Sequence, residues 1–117
     1  MKREIYWLCV AIWMGLIFYL SSLRIGGAPG EMPSWLMHMS VYFVLGLLLG
    51  VALMFDFDKK KVLLIGLIIG VLYGFSDEVH QFFVPGRVFS LWDIFFDGLG
   101  SLIGLIVVKL DYSKVFK

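Results

Sequence analysis

Four long apolar segments alternate with short polar stretches along the chain, at residues 5–23, 35–55, 62–83 and 91–110. Each is close to the ~20 residues that an α-helix needs to cross the roughly 30 Å hydrocarbon core of a bilayer. A helix satisfies its backbone hydrogen bonds within one segment, which lipid requires. The pattern therefore predicts an all-α, polytopic membrane protein with four transmembrane helices in a bundle.

The composition supports a membrane environment and a single domain. Of the 117 residues, 61% are hydrophobic, whereas soluble domains are about 45–50% apolar. A chain of this length cannot bury so much apolar surface in one aqueous core. We therefore expect residues 1–117 to form one transmembrane domain. The formal net charge of +1 gives no reason to expect a nucleic-acid partner.

The basic residues predict the orientation of the bundle. Eight of the ten would lie at one membrane face, and only Arg24 and Arg87 at the other. Because Lys and Arg are enriched in cytoplasmic loops, both termini are predicted to be cytoplasmic. Arg24 and Arg87 would then lie in loops outside the cell, each close to a Pro-Gly pair.

Alternating topology brings the polar residues of the four spans to the same, outward face. They lie at the end of spans one and three and at the start of spans two and four: Tyr19, Ser21, Ser22, His38, Ser40, Tyr42, Asp77, Glu78, His80, Gln81, Asp93 and Asp97. Ionisable groups are costly at membrane depth, so such a cluster indicates a functional site. The sequence predicts an outward-facing polar pocket.

Helical spacing selects the faces that would line this pocket. Three pairs lie four residues apart and so on one helix face: His38 and Tyr42, Asp77 and Gln81, Asp93 and Asp97. Glycines continue each face away from the pocket: Gly46 and Gly50, Gly66, Gly70 and Gly74, Gly100 and Gly104. Small residues at this spacing let membrane helices approach closely. We expect a bundle held together by glycine contacts.

The acidic residues allow a structural interpretation as well as a functional one. Arg24 and Arg87 could neutralise Asp77, Glu78 or Asp93 and so pin the loops. Structural pairing alone would not require four carboxylates in one place. Closely spaced carboxylates disfavour simultaneous ionisation, which suits proton transfer or cation binding.

These motifs resemble the VanZ-like family of small bacterial membrane proteins. The resemblance rests on Asp77-Glu78-x-x-Gln81 with Pro85-Gly86-Arg87, then Asp93, Gly100 and Gly104, His38-x-x-x-Tyr42 with Gly46, and Ser21-Ser22. It covers nearly the whole chain, with Asp97 standing where the family usually has Asn. It implies a multi-pass protein of the bacterial plasma membrane. The family's namesake is associated with resistance to the lipoglycopeptide teicoplanin.

Three functions fit the predicted pocket. The first is an enzyme acting on an envelope lipid or its headgroup by acid/base chemistry. Its candidate catalytic residues are Asp77, Glu78, His38 and Asp93, and its candidate ligand-binding residues are Gln81, Arg87, Tyr42, Asp97 and Ser22. Arg87 would hold an anionic group through its planar guanidinium. No cofactor is expected, although Asp77, Glu78, Asp93 and Asp97 could alternatively hold a divalent metal through oxygen ligands.

The second function is a non-catalytic protein that binds membrane lipids or a lipid-linked or lipophilic small molecule. The third is a small transporter or lipid-translocating protein that uses the acids as a proton relay. Four helices are few for alternating access, and no inverted repeat is evident in the sequence. A homodimer could make up that deficit.

Overall fold

The computed structural model describes residues 2–23, 33–86 and 89–111. Its regular structure is entirely helical over those ranges, in the order α1 (Lys2–Ser21), α2 (Ser34–Met54), α3 (Lys59–Phe82) and α4 (Leu91–Leu110). All four helices are long and apolar enough to cross a membrane. The prediction of an all-α bundle of four candidate transmembrane helices is confirmed.

Capping residues explain where two helices begin. α3 begins at Lys59 rather than near residue 62, because the carboxylate of Asp58 accepts a hydrogen bond from the backbone N–H of Lys61 at 2.9 Å. At the start of α4, the hydroxyl of Ser90 accepts from the backbone N–H of Asp93 at 3.3 Å. Such caps satisfy amide groups that the first helical turn leaves free.

Consecutive helices run antiparallel, as contacts at both ends of the bundle show. Arg3 at the start of α1 pairs with Asp56 just after α2, with 2.8 Å between guanidinium and carboxylate. Ser22 just after α1 lies 2.9 Å from the His80 ring near the end of α3. We call the end formed by the C-termini of α1 and α3 and the N-termini of α2 and α4 the acidic end. The opposite end, which carries Lys59–Lys61, is the lysine end.

Glycines allow α2 and α4 to pack backbone against backbone. A methyl group placed on Gly46 would collide with the main-chain carbonyl of Ser101. One placed on Gly100 would collide with the main-chain carbonyl of Met39. Neither carbonyl can rotate away, so the close approach of α2 and α4 depends on glycine at both positions.

Glycines of α3 serve a different purpose, since they accommodate side chains of α4. Gly74 faces the side chain of Asp97, and Gly70 faces that of Ser101. Asp97 and Ser101 are both fully buried. The glycine stripes predicted from the sequence therefore lie at helix contacts, and on α3 they create the space for polar residues of α4.

α1 packs more loosely than the other three helices. Its buried residues are Val10, Ile17 and Ser21. Two hydrogen bonds tie it to the bundle: Trp13 donates its indole N–H to the carbonyl of Val41 at 3.0 Å, and Tyr73 donates its hydroxyl to the carbonyl of Met14. Tryptophan and tyrosine thus bridge α1 to α2 and α3 without a broad buried face.

The distribution of polar and apolar residues is the reverse of a soluble protein's. Leu8, Leu64 and Leu72 are each about 60% exposed, at 59%, 61% and 64%. Glu78 and Asp97 have no exposed surface at all. Lipid favours apolar side chains outside and ionisable ones in the bundle interior. The chain is accordingly a multi-pass membrane protein.

The orientation in the membrane is open to a direct test. In a Cys9→Ser background, a cysteine at position 28 should react in intact cells with a membrane-impermeant maleimide, because the acidic end is predicted to face outward. A cysteine replacing Lys60 should react only after the membrane is permeabilised. Labelling of position 60 in intact cells would contradict the predicted orientation.

Candidate functional site

Polar side chains from all four helices lie together at the acidic end. They are Ser21 and Ser22, His38 and Tyr42, Asp77, Glu78, His80 and Gln81, and Asp93 and Asp97. Seven of them are more than nine-tenths buried: Ser21, His38, Tyr42, Asp77, Glu78, Gln81 and Asp97. Among the described residues, every Lys and Arg lies towards the lysine end. The described part of the site therefore combines carboxylates with neutral polar groups and imidazoles.

His38 lies between the two aspartates of α4. Its Nδ1 is 2.7 Å from Oδ1 of Asp97, and its Nε2 is 3.6 Å from Oδ2 of Asp93. The two aspartates share one face of α4, as their four-residue spacing predicts. The shorter distance is that of a strong hydrogen bond between the imidazole and the Asp97 carboxyl group.

Tyr42 lies one turn deeper on the same face of α2. Its hydroxyl donates a hydrogen bond to Oδ2 of Asp77 at 3.3 Å, and its side chain is 1% exposed. His38 and Tyr42, which share one face of α2 as predicted, therefore contact different helices. His38 meets α4, whereas Tyr42 meets α3.

The neighbouring acids of α3 point to different helices. Asp77 contacts α2 through Tyr42. Glu78 accepts a hydrogen bond at Oε2 from the backbone N–H of Ser90, at 3.2 Å, beside the start of α4. Successive residues of an α-helix are separated by about 100° around its axis. Asp77 and Glu78 therefore occupy distinct environments although they are adjacent in sequence.

Three buried carboxylate oxygens have no hydrogen-bond partner among the described residues: Oδ1 of Asp77, Oε1 of Glu78 and Oδ2 of Asp97. Buried acceptors are satisfied in the great majority of structures, so these three oxygens are available to accept from a carboxyl proton, an ordered water, a cation or a ligand. Potential ligand atoms lie within 4.8 Å of one another in two groups, His38 with Glu78 and Asp93, and His38 with Asp77 and Asp97.

A cavity of about 60 Å³ opens between α1, α2 and α3. Its wall combines apolar and polar side chains. The apolar lining residues are Ile17, Leu20, Met37 and Val41, and the polar ones are Ser21, Ser34, His38, Tyr42, Asp77 and Gln81. The wall does not include Asp93 and Asp97 of α4, nor Glu78, which lies near the start of α4. His38 therefore separates the cavity from a cluster of three carboxylates.

The two serines that end α1 have different surroundings. Ser22, a predicted ligand-binding residue, is exposed and lies against His80, whose ring stacks on Phe18 with 4.0 Å between centroids. Ser21 lines the cavity instead. The sequence feature that could have identified Ser21 as a cavity residue is its spacing of four residues from Ile17, which places both side chains on one face of α1. Arg87, the predicted anion-binding residue, lies outside the described residues.

The comparisons with known proteins agree with the residue pattern. The VanZ/LLP1 family model matches residues 6–112. No curated protein and no solved structure matches the chain. The matched range includes α2, α3 and α4, α1 from residue 6 onward and every polar residue of the acidic end, and so the chain belongs to the VanZ/LLP1 family.

Proposed function

We propose that this protein is a cell-envelope membrane protein whose cavity engages the polar part of a lipid-linked or lipophilic molecule. The observation that carries the proposal is the mixed lining of the cavity, in which Ile17 and Val41 occur together with Asp77 and Gln81. Ligand pockets combine apolar lining with a few polar groups that fix orientation. A wall of this kind suits a molecule with an apolar body and a polar group.

The lining chemistry favours a ligand group that donates hydrogen bonds. Asp77 supplies an acceptor oxygen, Oδ1, that no described donor satisfies. The His38 ring and the Gln81 amide lie on the same wall. Hydroxyl and amino groups complement such a surface, whereas an anionic group would need Arg87.

The volume of the cavity limits what can enter it. A cavity needs about 10–15 Å³ of such space to hold a water molecule, so about 60 Å³ admits a small polar group rather than a whole headgroup or antibiotic. The rest of the ligand would lie along exposed apolar residues near the mouth, such as Phe18 and Trp35. Because α1 packs loosely, its displacement would enlarge the site.

We propose that this activity takes place in the bacterial plasma membrane and contributes to teicoplanin-type glycopeptide resistance, a proposal that membership of the VanZ/LLP1 family supports. Teicoplanin is a lipoglycopeptide, so it joins a lipophilic chain to a donor-rich polar body. A cavity that holds the polar group of a membrane-anchored molecule could change how that molecule is presented at the membrane. Both lipid-linked envelope components and the antibiotic itself fit this description.

A second candidate function, acid/base chemistry on the bound molecule, is favoured by the contact between His38 and Asp97. A carboxylate that accepts from Nδ1 sets the tautomer and leaves Nε2 available as a base. The imidazole also borders the cavity. Chemistry would leave a modified lipid or antibiotic, which mass spectrometry of membrane extracts detects, whereas binding alone leaves the molecule unchanged.

Removal of the Asp77 charge tests the proposed site. We expect the native chain to raise the minimal inhibitory concentration of teicoplanin in a susceptible bacterial host. Asp77→Asn should abolish most of that protection, because loss of one charge-assisted hydrogen bond weakens binding about tenfold. The measurements are the inhibitory concentration and the amount of folded protein in the membrane.

Asp56→Asn is the matched control, because it changes the same residue type at the opposite end of the bundle, where Asp56 contacts Arg3. It should protect as well as the native chain. Equal protection by Asp77→Asn and Asp56→Asn at equal expression would exclude the cavity as the functional site.

A further inference from the structure

The two nitrogens of His38 have different partners. Nδ1 makes a short hydrogen bond to Asp97, at 2.7 Å. Nε2 lies 3.6 Å from Oδ2 of Asp93, beyond the roughly 2.7–3.2 Å of an N–H···O hydrogen bond. With the Nδ1 proton donated to Asp97, neutral His38 presents a lone pair on Nε2. That lone pair is close to a carboxylate without being hydrogen-bonded to it.

This separation matches two ligands of one metal ion. Zinc–nitrogen and zinc–oxygen bonds are about 2.1 Å long, so two ligands of a tetrahedral zinc ion lie about 3.4 Å apart. The distance of 3.6 Å between Nε2 of His38 and Oδ2 of Asp93 is close to that value. An ion between them would replace a poor hydrogen bond with two coordination bonds.

Glu78 completes a set of three ligands. It contributes an atom to the same group, all of whose potential ligand atoms lie within 4.8 Å of one another. Its side chain is fully buried, and its Oε1 has no partner among the described residues. Its Oε2 is held by the backbone N–H of Ser90. The carboxylate is thus oriented by one oxygen while the other is left to coordinate.

Asp97 supplies the outer support that metal-bound histidines usually have. A ligating imidazole almost always donates its other N–H to a carboxylate, a carbonyl or water, which orients the ring and increases its basicity. The hydrogen bond from Nδ1 of His38 to Asp97 is of this kind. The second group, His38 with Asp77 and Asp97, is less suitable, because Asp97 already accepts the Nδ1 proton.

We propose that His38, Glu78 and Asp93 bind one divalent transition-metal ion, with Asp97 as the hydrogen-bonding support of His38. Mixed imidazole and carboxylate ligands suit Zn²⁺ or Mn²⁺. Three protein ligands leave a coordination position open, as in catalytic rather than structural zinc sites. The ion would also offset negative charge in a region where the described residues contain no Lys or Arg. Metal binding does not require the proposed cavity ligand, but it would occupy Nε2 of His38 and so exclude that atom as the base in the second candidate function.

Metal uptake by the purified protein tests this site. The full chain, without a polyhistidine tag, is placed in lipid nanodiscs, freed of metal with a chelator and titrated with Zn²⁺ or Mn²⁺ by calorimetry. We expect one ion per chain. Asp97→Asn alters only the hydrogen-bonding support of His38 and should weaken metal binding about 10–100-fold. Glu78→Gln and Asp93→Asn each remove a ligand and should weaken metal binding more than that.

His80→Gln is the matched control, since His80 contacts Ser22 and Phe18 outside the ligand set. It should bind the metal with native affinity. The Mn²⁺ electron paramagnetic resonance spectrum gives a second readout, because coordination broadens the signal of the free ion. Failure of the folded native chain to take up either ion, or equal uptake by the control and the Glu78→Gln and Asp93→Asn variants, would overturn the proposal.

Discussion

Gly100→Leu is expected to prevent α2 and α4 from packing together. A side chain at this position meets the main-chain carbonyl of Met39, and a carbonyl within α2 cannot move without shifting the helix. Overpacking by a few methyl groups costs about 1–3 kcal/mol where side chains can adjust. Here the obstacle is backbone, so we expect a loss above that range. The measurement is unfolding in mixed micelles with increasing sodium dodecyl sulfate.

Two other glycines provide graded controls for the same change. A side chain introduced at Gly15 of α1 would begin in open space, with no neighbouring atom within 4 Å of its first carbon, so Gly15→Leu should leave stability near the native value. Gly66 faces the side chain of Leu105, which can rotate, so its substitution should have an intermediate effect. Similar losses at Gly15 and Gly100 would contradict the proposed backbone contact.

Asp97→Ala is expected to destabilise the bundle by about 1–3 kcal/mol, the cost of leaving a buried hydrogen-bond donor without its partner. The variant leaves His38, itself 8% exposed, without the acceptor of its 2.7 Å hydrogen bond. Ordinary hydrogen bonds between membrane helices contribute only about 0.6 kcal/mol on average. The larger value reflects the burial of both groups.

Asp97→Asn should keep most of the stability that Asp97→Ala loses, because an amide oxygen can still accept a hydrogen bond from Nδ1 of His38. The family usually has Asn at this position. Asp56→Ala is the comparison at an exposed site. The contact of Asp56 with Arg3, at 2.8 Å, is nearly as short as that between His38 and Asp97. Solvent screens it, so we expect a far smaller loss of stability. A double-mutant cycle with His38→Ala measures the coupling. Negligible coupling between His38 and Asp97 would contradict this assignment.

Much of the architecture follows from patterns that are local in the sequence. Apolar segments of about 20 residues require membrane helices, since no other single segment satisfies its backbone in lipid. The four-residue spacing of Asp93 and Asp97 required a common face, and both aspartates do contact His38. The glycines at the same spacing indicated close helix contacts, which the structure contains at Gly46 and Gly100.

Tertiary packing decided how each helix is rotated about its axis. From the sequence we predicted Ser22, rather than Ser21, as a ligand-binding residue, and a single step along a helix turns a side chain by about 100°. Packing against α2 and α3 places Ser21 on the cavity wall. It leaves Ser22 exposed beside His80.

The sequence by itself determined a four-helix membrane bundle of the VanZ/LLP1 family and the end at which its polar residues meet. Hydrophobic length and helical spacing are sufficient for the bundle and its polar end, whereas the family follows from the motifs and the matching family model. Only the tertiary structure separated Asp77, on the cavity wall, from Glu78, which lies with Asp93 near His38. That division depends on which helix each side chain meets, and contacts between distant segments are set by packing rather than by local pattern.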